Sequence, residues 1–311
     1  MERIRFLHIP KTAGTSFTDC LARIYPGEKF VFTGLLKDDF ERYRAMEASE
    51  RERIALISGH CPRITGIPEI DKLPIITLLR DPIEQVKSHC QHVSEGKNPY
   101  WRELYPPGTF ELDEFLESGH LVLSNLQTKM LLGDEGYRPI TGETRALVDE
   151  VLHVLQNDIV CFGIVEEFDT SLMWFRRRLG WKQWPVYRRL NVASESKRLT
   201  FSSDQIAKIR ALNAVDIEVY ARALDVFHAE LARISDYLAA NLEIFEQEQR
   251  LWALRLKAPS SAAPIEVQPS RTWEERVERA FHIARTEGLD ALLQEIRRYI
   301  RWMHEQHVHR V

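Results

Sequence analysis

The sequence predicts an α/β fold: a P-loop-like, mainly parallel sheet flanked by helices, with a long helical C-terminal extension. Three observations predict it. Short apolar runs alternate with amphipathic stretches through the N-terminal half. One of those runs leads directly into a loop of lysine, glycine and hydroxyl residues that opens a helix. Residues 204–257 then contain neither proline nor glycine and are rich in helix formers. Such alternation buries a parallel sheet between helical layers, and ligands of these sheets collect at the carboxyl ends of the strands.

The elements follow in order. Arg3 to His8 (RIRFLH) is a strand, and Thr15 to Ile24 a helix. Asp38 to Arg53 is polar and helix-forming, followed by the apolar run Ile54 to Ser58. Leu73 to Leu79 (LPIITLL) is the strongest strand, dense in β-branched residues with a proline at its start. Asp81-Pro82 opens the next helix, Asp as N-cap and Pro at the first helical position. Helices are expected over 111–118, 120–132 and 143–156, then a buried strand from Ile159 to Val165 and a helix from Glu167 to Leu179.

In the C-terminal third, Ile217, Tyr220, Leu224, Phe227, Leu231, Ile234 and Leu238 recur three and four residues apart, the stripe of a packed helix. Residues 258–270 hold three prolines and three serines and read as a linker. A last helix is expected from Trp273 to about Met303. The division expected is a ligand-binding domain over 1–235 and a helical extension over 236–311. That extension is either a hairpin packed on the main domain or a homodimerisation element, and periodicity does not separate the two.

Composition bounds the function. The 311 residues are 44% hydrophobic and 28% charged, with 42 basic and 46 acidic side chains for a net charge of −4. That balance argues against a nucleic-acid binder held by a broad basic surface, yet allows a local basic pocket for a small anion. No stretch has the apolar length of a membrane span, and the first residues lack a signal-peptide pattern. Cys20, Cys61, Cys90 and Cys161 are scattered, without a CxxC pair. Reduced, buried thiols in a cytoplasmic chain without a zinc site are the expectation.

Most of the functional information lies in Phe6 to Phe17, FLHIPKTAGTSF. The order is strand, loop, helix. Gly14 permits close backbone approach, Thr15 and Ser16 fall where helix N–H groups favour an anion, and Lys11 adds a full charge. In the Walker A pattern GxxxxGK[ST], the lysine ends the loop and a magnesium-binding hydroxyl follows it. Here Lys11 precedes the glycine, so the cation sits on the opposite side of the anion.

HIPKTAGTS resembles the 5′-phosphosulfate loop of sulfotransferases that use 3′-phosphoadenosine-5′-phosphosulfate (PAPS), and is most similar to the carbohydrate sulfotransferase branch with its soluble bacterial members. ITLLRDPIEQVKSH, Ile76 to His89, is similar to that family's 3′-phosphate segment, with Arg80 ending the strand and Ser88 eight residues later. GIVEEFDTSL, Gly163 to Leu172, resembles a strand–helix junction of bacterial members. The likeness spans roughly residues 3 to 230 and leaves the final eighty uncovered.

The resemblance implies PAPS as co-substrate, 3′-phosphoadenosine-5′-phosphate (PAP) as product, and no metal. It implies Lys11, Thr12, Ala13, Gly14, Thr15 and Ser16 at the 5′ end, and Arg80 with Ser88 at the 3′-phosphate. Arg80's fork suits phosphate; a salt bridge to Asp81 or Glu84 is its competing role. Lys11 would stabilise the bridging and leaving oxygens. His60, in LISGHCPR just past a short strand, is the candidate base, since imidazole titrates near neutral pH. The relatives that sulfate uronic acids are similar here, with a Gly-His after a short strand. His8 is expected to be structural, and His89 and His92 are weaker candidates for the base.

In VYRRLNVASESKR, Arg189 and Asn191 resemble a basic loop that closes over the cofactor; a solvated charge run is the alternative. Tyr100, Trp101, Tyr105 and Phe110 form either an acceptor lid or a packed surface loop. The acceptor expected is a small molecule or glycan hydroxyl, carbohydrate favoured. Two other functions stay open: a P-loop small-molecule kinase, which needs a magnesium ligand set, and a non-catalytic PAPS- or anion-binding scaffold.

Overall fold

The computed structural model describes residues 3–34, 36–96, 98–133, 142–188, 190 and 198–257. The expected linker and last helix, 258–311, and the loop residues Arg189 and Asn191 lie outside them.

Five parallel strands form one sheet: β1 (Ile4–Leu7), β2 (Glu28–Phe32), β3 (Ile54–Gly59), β4 (Ile75–Leu79) and β5 (Ile159–Ile164), in the order β2-β3-β1-β4-β5. Every residue of β1 and of β4 is buried, as strands covered on both faces require. The chain starts in the middle of the sheet, adds β2 and β3 on one side, then crosses to β4 and β5. The loops after β1, β3 and β4 therefore converge at one carboxyl edge, where the strand order reverses.

The helix Gly14–Ile24 buries Phe17, Cys20, Leu21 and Ile24 on one face. Phe17 is its anchor, edge-on to Phe6 of β1 at 4.9 Å and stacked on Phe175 at 5.1 Å. Burying such a ring stabilises by about 1.5–3 kcal/mol. Asp81 caps the helix Pro82–Ser94 as its sequence predicts, accepting from the N–H groups of Ile83 and Glu84. All four cysteines are buried and free.

Several elements differ from expectation, each for a local reason. Strand β2 has only the short run Phe30-Val31-Phe32 to announce it. It is a half-exposed edge strand, with Phe30 and Phe32 buried and Glu28, Lys29 and Val31 in solvent. The polar stretch 38–53 is two helices, Leu36–Arg44 and Ala48–Arg53, because Glu47 and Glu50 cap each other's backbone and restart the helix. The stretch 120–132 is a short 3-10 turn, Leu121–Leu123, and then the helix Leu126–Leu132.

The proline-free C-terminal run is three helices, Ser203–Leu212, Ala214–Arg233 and Ser235–Lys257. Asn213 interrupts it because its side chain is drawn into tertiary bonds: Nδ2 donates to the Leu123 carbonyl and Oδ1 accepts from Asn125 N–H, each at 2.8 Å. Ser235–Lys257 belongs to the compact unit that reaches Lys257, with Phe245 fully buried in the main core. Among the described residues, no helix is long and apolar enough to cross a membrane.

Candidate functional site

The loop after β1 is shaped by its backbone. Lys11 and Ala13 both take left-handed conformations, at φ 66° and 56°, although neither is glycine. Each costs about 1–2 kcal/mol relative to a relaxed conformation, a cost that persists at functional turns. Thr12 between them is wholly buried, and its hydroxyl donates to the Ile9 carbonyl at 2.8 Å, so it shapes the loop from inside. Helix Gly14–Ile24 then opens with Ala13 as N-cap, no side-chain cap and no acidic residue in its first turn. A helix start of that kind offers N–H groups to an anion. Gly14 is fixed by volume: a Cβ there would lie 1.9 Å from the His8 ring.

His60 comes from the neighbouring strand. Gly59 ends β3 at φ 124°, and a Cβ on it would meet the Phe32 carbonyl oxygen at 2.1 Å, so the glycine before His60 is required by the β2–β3 approach. The His60 ring lies 4.3 Å from that of His8, and its Nδ1 is 2.8 Å from the His8 carbonyl oxygen. A carbonyl only accepts, so Nδ1 carries the hydrogen and Nε2 carries the lone pair of a base. Burial lowers the pKa of His60 and nearby Lys11 lowers it further, opposed by the bond to the His8 carbonyl. His8 is driven well below the usual imidazole range by burial, then by His60 and Lys11. Beside the pair opens a cavity of about 330 Å³, lined in part by Thr15, Thr18, Thr33 and Ser58.

Arg80 ends β4 and reaches across to the loop: its Nη1 donates to the Lys11 carbonyl at 2.9 Å. The two motifs are thus physically joined. Gln85, one turn into the following helix, adds a second tie by donating from Nε2 to the Pro10 carbonyl at 2.9 Å. Asp81 caps its helix and Glu84 pairs with Lys87, so neither neutralises Arg80. The carboxylate nearest its guanidinium is Glu166, 3.9 Å from Nε. Ser88 is half-buried two turns beyond Arg80.

Sequence reasoning missed the supports. Gln127 clasps the Arg80 backbone from both sides, accepting from its N–H and donating to its carbonyl. The buried Asp216 accepts from the Gln127 and Thr128 N–H groups and so caps the helix that carries Gln127. Gln249, in the third C-terminal helix, hydrogen-bonds both the N–H and the carbonyl of Tyr187. Leu190 N–H, three residues on, reaches Ser16 Oγ at 3.1 Å. No residue pattern announces these partners, because each is an ordinary amide or carboxylate whose meaning comes from a distant backbone. The aromatic segment forms a helix, Pro99–Leu104, with Trp101 packed inside and Tyr100 exposed. Among the described residues, no group of three His, Cys, Asp or Glu side chains is placed to hold a metal ion.

No family model and no curated protein sequence matches the chain. Among the solved structures that resemble it distantly are two sulfotransferases. Mouse sulfotransferase SULT7A1 complexed with PAP is 17% identical, with a TM-score of 0.35, over 68% of this chain and 63% of the mouse chain. A sulfotransferase from Alicyclobacillus acidocaldarius is 14% identical, with a TM-score of 0.33, over 79% of this chain and 99% of the bacterial one. Likeness at that distance assigns no chemistry to this chain.

Proposed function

We propose that this protein is a sulfotransferase that moves the sulfuryl group of PAPS to an acceptor hydroxyl, a carbohydrate hydroxyl foremost, by in-line, metal-independent transfer. The observation that carries the reading is the bond from Arg80 Nη1 to the Lys11 carbonyl. It fixes two anion motifs at the ends of adjacent strands, as a ligand with phosphate at both the 3′ and 5′ positions of its ribose needs. The residues fit that ligand: an uncapped helix start without acidic side chains, a glycine held bare by the His8 ring, and a guanidinium one strand away.

In this reading the backbone from Lys11 to Ser16 holds the 5′ end, Arg80 and Ser88 hold the 3′-phosphate, and Arg189 and Asn191 close over it. The co-substrate supplies an activated sulfuryl group, whose bond to the 5′-phosphate oxygen breaks as the acceptor oxygen bonds to sulfur. Lys11 places its charge by the departing oxygen, where stabilisation acts on the transition state. His60 Nε2 takes the acceptor's proton; its lowered pKa keeps it neutral at physiological pH, as a base must be. Residues 1–235 carry these groups.

The test is calorimetric titration of PAP into wild type, Lys11→Ala and Arg80→Ala with EDTA present. The expected result is metal-independent binding, weakened by roughly tenfold to a hundredfold in each variant, the worth of a charged hydrogen bond. Wild type that ignores PAP but binds ATP with magnesium would make the chain a P-loop kinase. PAP binding without turnover across a broad acceptor panel would make it a scaffold.

A further inference from the structure

The cavity beside His60 has a wall built by the end of β2. Val31 and Thr33 stand two residues apart, hence on one side of the chain. Both are exposed and both line the cavity, so a ligand reaches them from solvent. The Phe32 carbonyl between them accepts from the His60 N–H at 3.2 Å, which sets Thr33 directly beside the Gly59-His60 corner. Thr15, in the first turn of the phosphate-loop helix, lines the same space. A molecule placed there is flanked by the base and by the 5′ seat of the co-substrate. The volume of about 330 Å³ lies at the low end of the roughly 300–1,000 Å³ of small-molecule sites, room for one compact ring rather than a chain.

Asp39 decides what Thr33 shows to that space. Its buried carboxylate accepts from the Thr33 N–H at 2.7 Å, from the Gly34 N–H at 3.1 Å and from Arg42 Nη2 at 2.8 Å. The Thr33 hydroxyl lies 3.1 Å from the same carboxylate, and since a carboxylate only accepts, the hydroxyl donates to it. A hydroxyl has one proton and two lone pairs. With its proton engaged by Asp39, Thr33 Oγ1 meets a ligand as an acceptor. His60 Nε2 presents a second lone pair, because Nδ1 carries the hydrogen to the His8 carbonyl. Two acceptors on one wall call for two donors from the occupant. A polyhydroxylated molecule supplies both, one hydroxyl to His60 for transfer and another to Thr33. A carboxylate brings only lone pairs of its own and loses hydration on entry. The Val31 methyls give the C–H face of a ring an apolar surface.

We infer that this cavity is the acceptor site and Thr33 its specificity-determining residue, so that the enzyme takes compact, uncharged, polyhydroxylated acceptors and rejects acidic ones such as uronic acids. The inference rests on the sulfotransferase reading and deepens it by naming the substrate class. Sites built to hydrogen-bond a substrate hydroxyl discriminate strongly against analogues that cannot donate, and a charge set against lone pairs is a repulsive element as well.

The test uses the full chain, labelled with ¹³C at the threonine methyls and saturated with PAP. Methyl α-D-glucopyranoside, myo-inositol and D-glucuronate are added separately at equal concentration and neutral pH. Thr33→Ser assigns the Thr33 signal, since it removes the methyl and keeps the hydroxyl. The expected result is a saturable shift of that signal with a neutral polyol and none with glucuronate. In PAPS-dependent sulfation of the polyol that binds, Thr33→Val should raise KM about tenfold, the loss of one neutral hydrogen bond. Thr33→Ser should restore KM, and PAP affinity should match wild type in both variants, whereas a merely structural role would lower it. If Thr33→Val does not fold, the comparison of polyol with glucuronate on wild type still decides. Normal PAP binding with no shift from either polyol, an equal shift from glucuronate, or an unchanged KM in Thr33→Val would overturn the inference. A wild type that does not bind PAP would overturn the sulfotransferase reading itself.

Discussion

The two ends of the site are built from different materials. At the end of β1 the proposed anion seat is backbone: two left-handed residues, an uncapped helix start and a glycine pressed against His8. At the end of β4 it is one guanidinium, with Nη1 on the Lys11 carbonyl, Glu166 near Nε, and its own backbone clasped by Gln127. The first end is limited by volume and torsion angle. The second is limited by charge and is steadied by partners from distant elements. Substitutions should therefore fail in different ways at the two ends.

The largest effect is expected from Gly14→Ala. The added methyl would lie 1.9 Å from the His8 ring, a contact that forces the loop or the ring to move. Overpacking of this kind costs about 1–3 kcal/mol, and here it also displaces the helix start. Loss of measurable PAP binding and a lower melting temperature are expected. The double variant His8→Ala/Gly14→Ala removes the obstructing ring and should recover most of the stability. Failure of that rescue would mean that something other than volume governs this end of the site.

The next effect is expected from acid, which acts on buried histidines at both ends. His8, His60 and His89 all have pKa values lowered in the folded protein, burial being the first cause in each. The unfolded chain, with imidazoles titrating near pH 6.5, binds more protons than the folded one below that point, so stability falls as pH falls through it. Each histidine contributes a slope approaching about 1.4 kcal/mol per pH unit until its folded pKa is reached. Urea denaturation between pH 7.5 and 5 should show this loss, and His60→Gln should flatten it. A transfer-rate profile whose acid limb lies below the ordinary imidazole range would agree with His60 as base. A wild-type stability that is level over this interval would show that the histidines are not held neutral.

The same contrast governs how much of the molecule was legible in its sequence. Strands β1, β3, β4 and β5 and the loop at Lys11–Ser16 were readable because local residues determine them: apolar runs, a glycine, and an Asp-Pro helix start. The tie between Arg80 and Lys11 was foreseen only as two separate motifs; the bond itself needs the β1–β4 pairing. Gln127, Asp216 and Gln249 were not readable. Their partners are backbone atoms far away in sequence, and no spacing encodes them. Strand β2 escaped for another reason: an edge strand buries only alternate residues, and its solvent face carries charge.

The smallest effect, and the sharpest probe of the backbone end, is expected from Ala13→Gly. Ala13 sits at φ 56°, where an L-residue is strained by about 1–2 kcal/mol and glycine is not. Glycine gives back about 0.5–1 kcal/mol through the greater freedom of its unfolded chain. The net expectation is a gain of about 1 kcal/mol or less in folding stability, seen as a small rise in the urea midpoint. PAP affinity should hold or fall slightly, since a looser loop must be ordered when the anion arrives. A clear loss of stability instead would mean that the Ala13 methyl has packing the left-handed turn depends on, and that torsion alone does not set this end of the site.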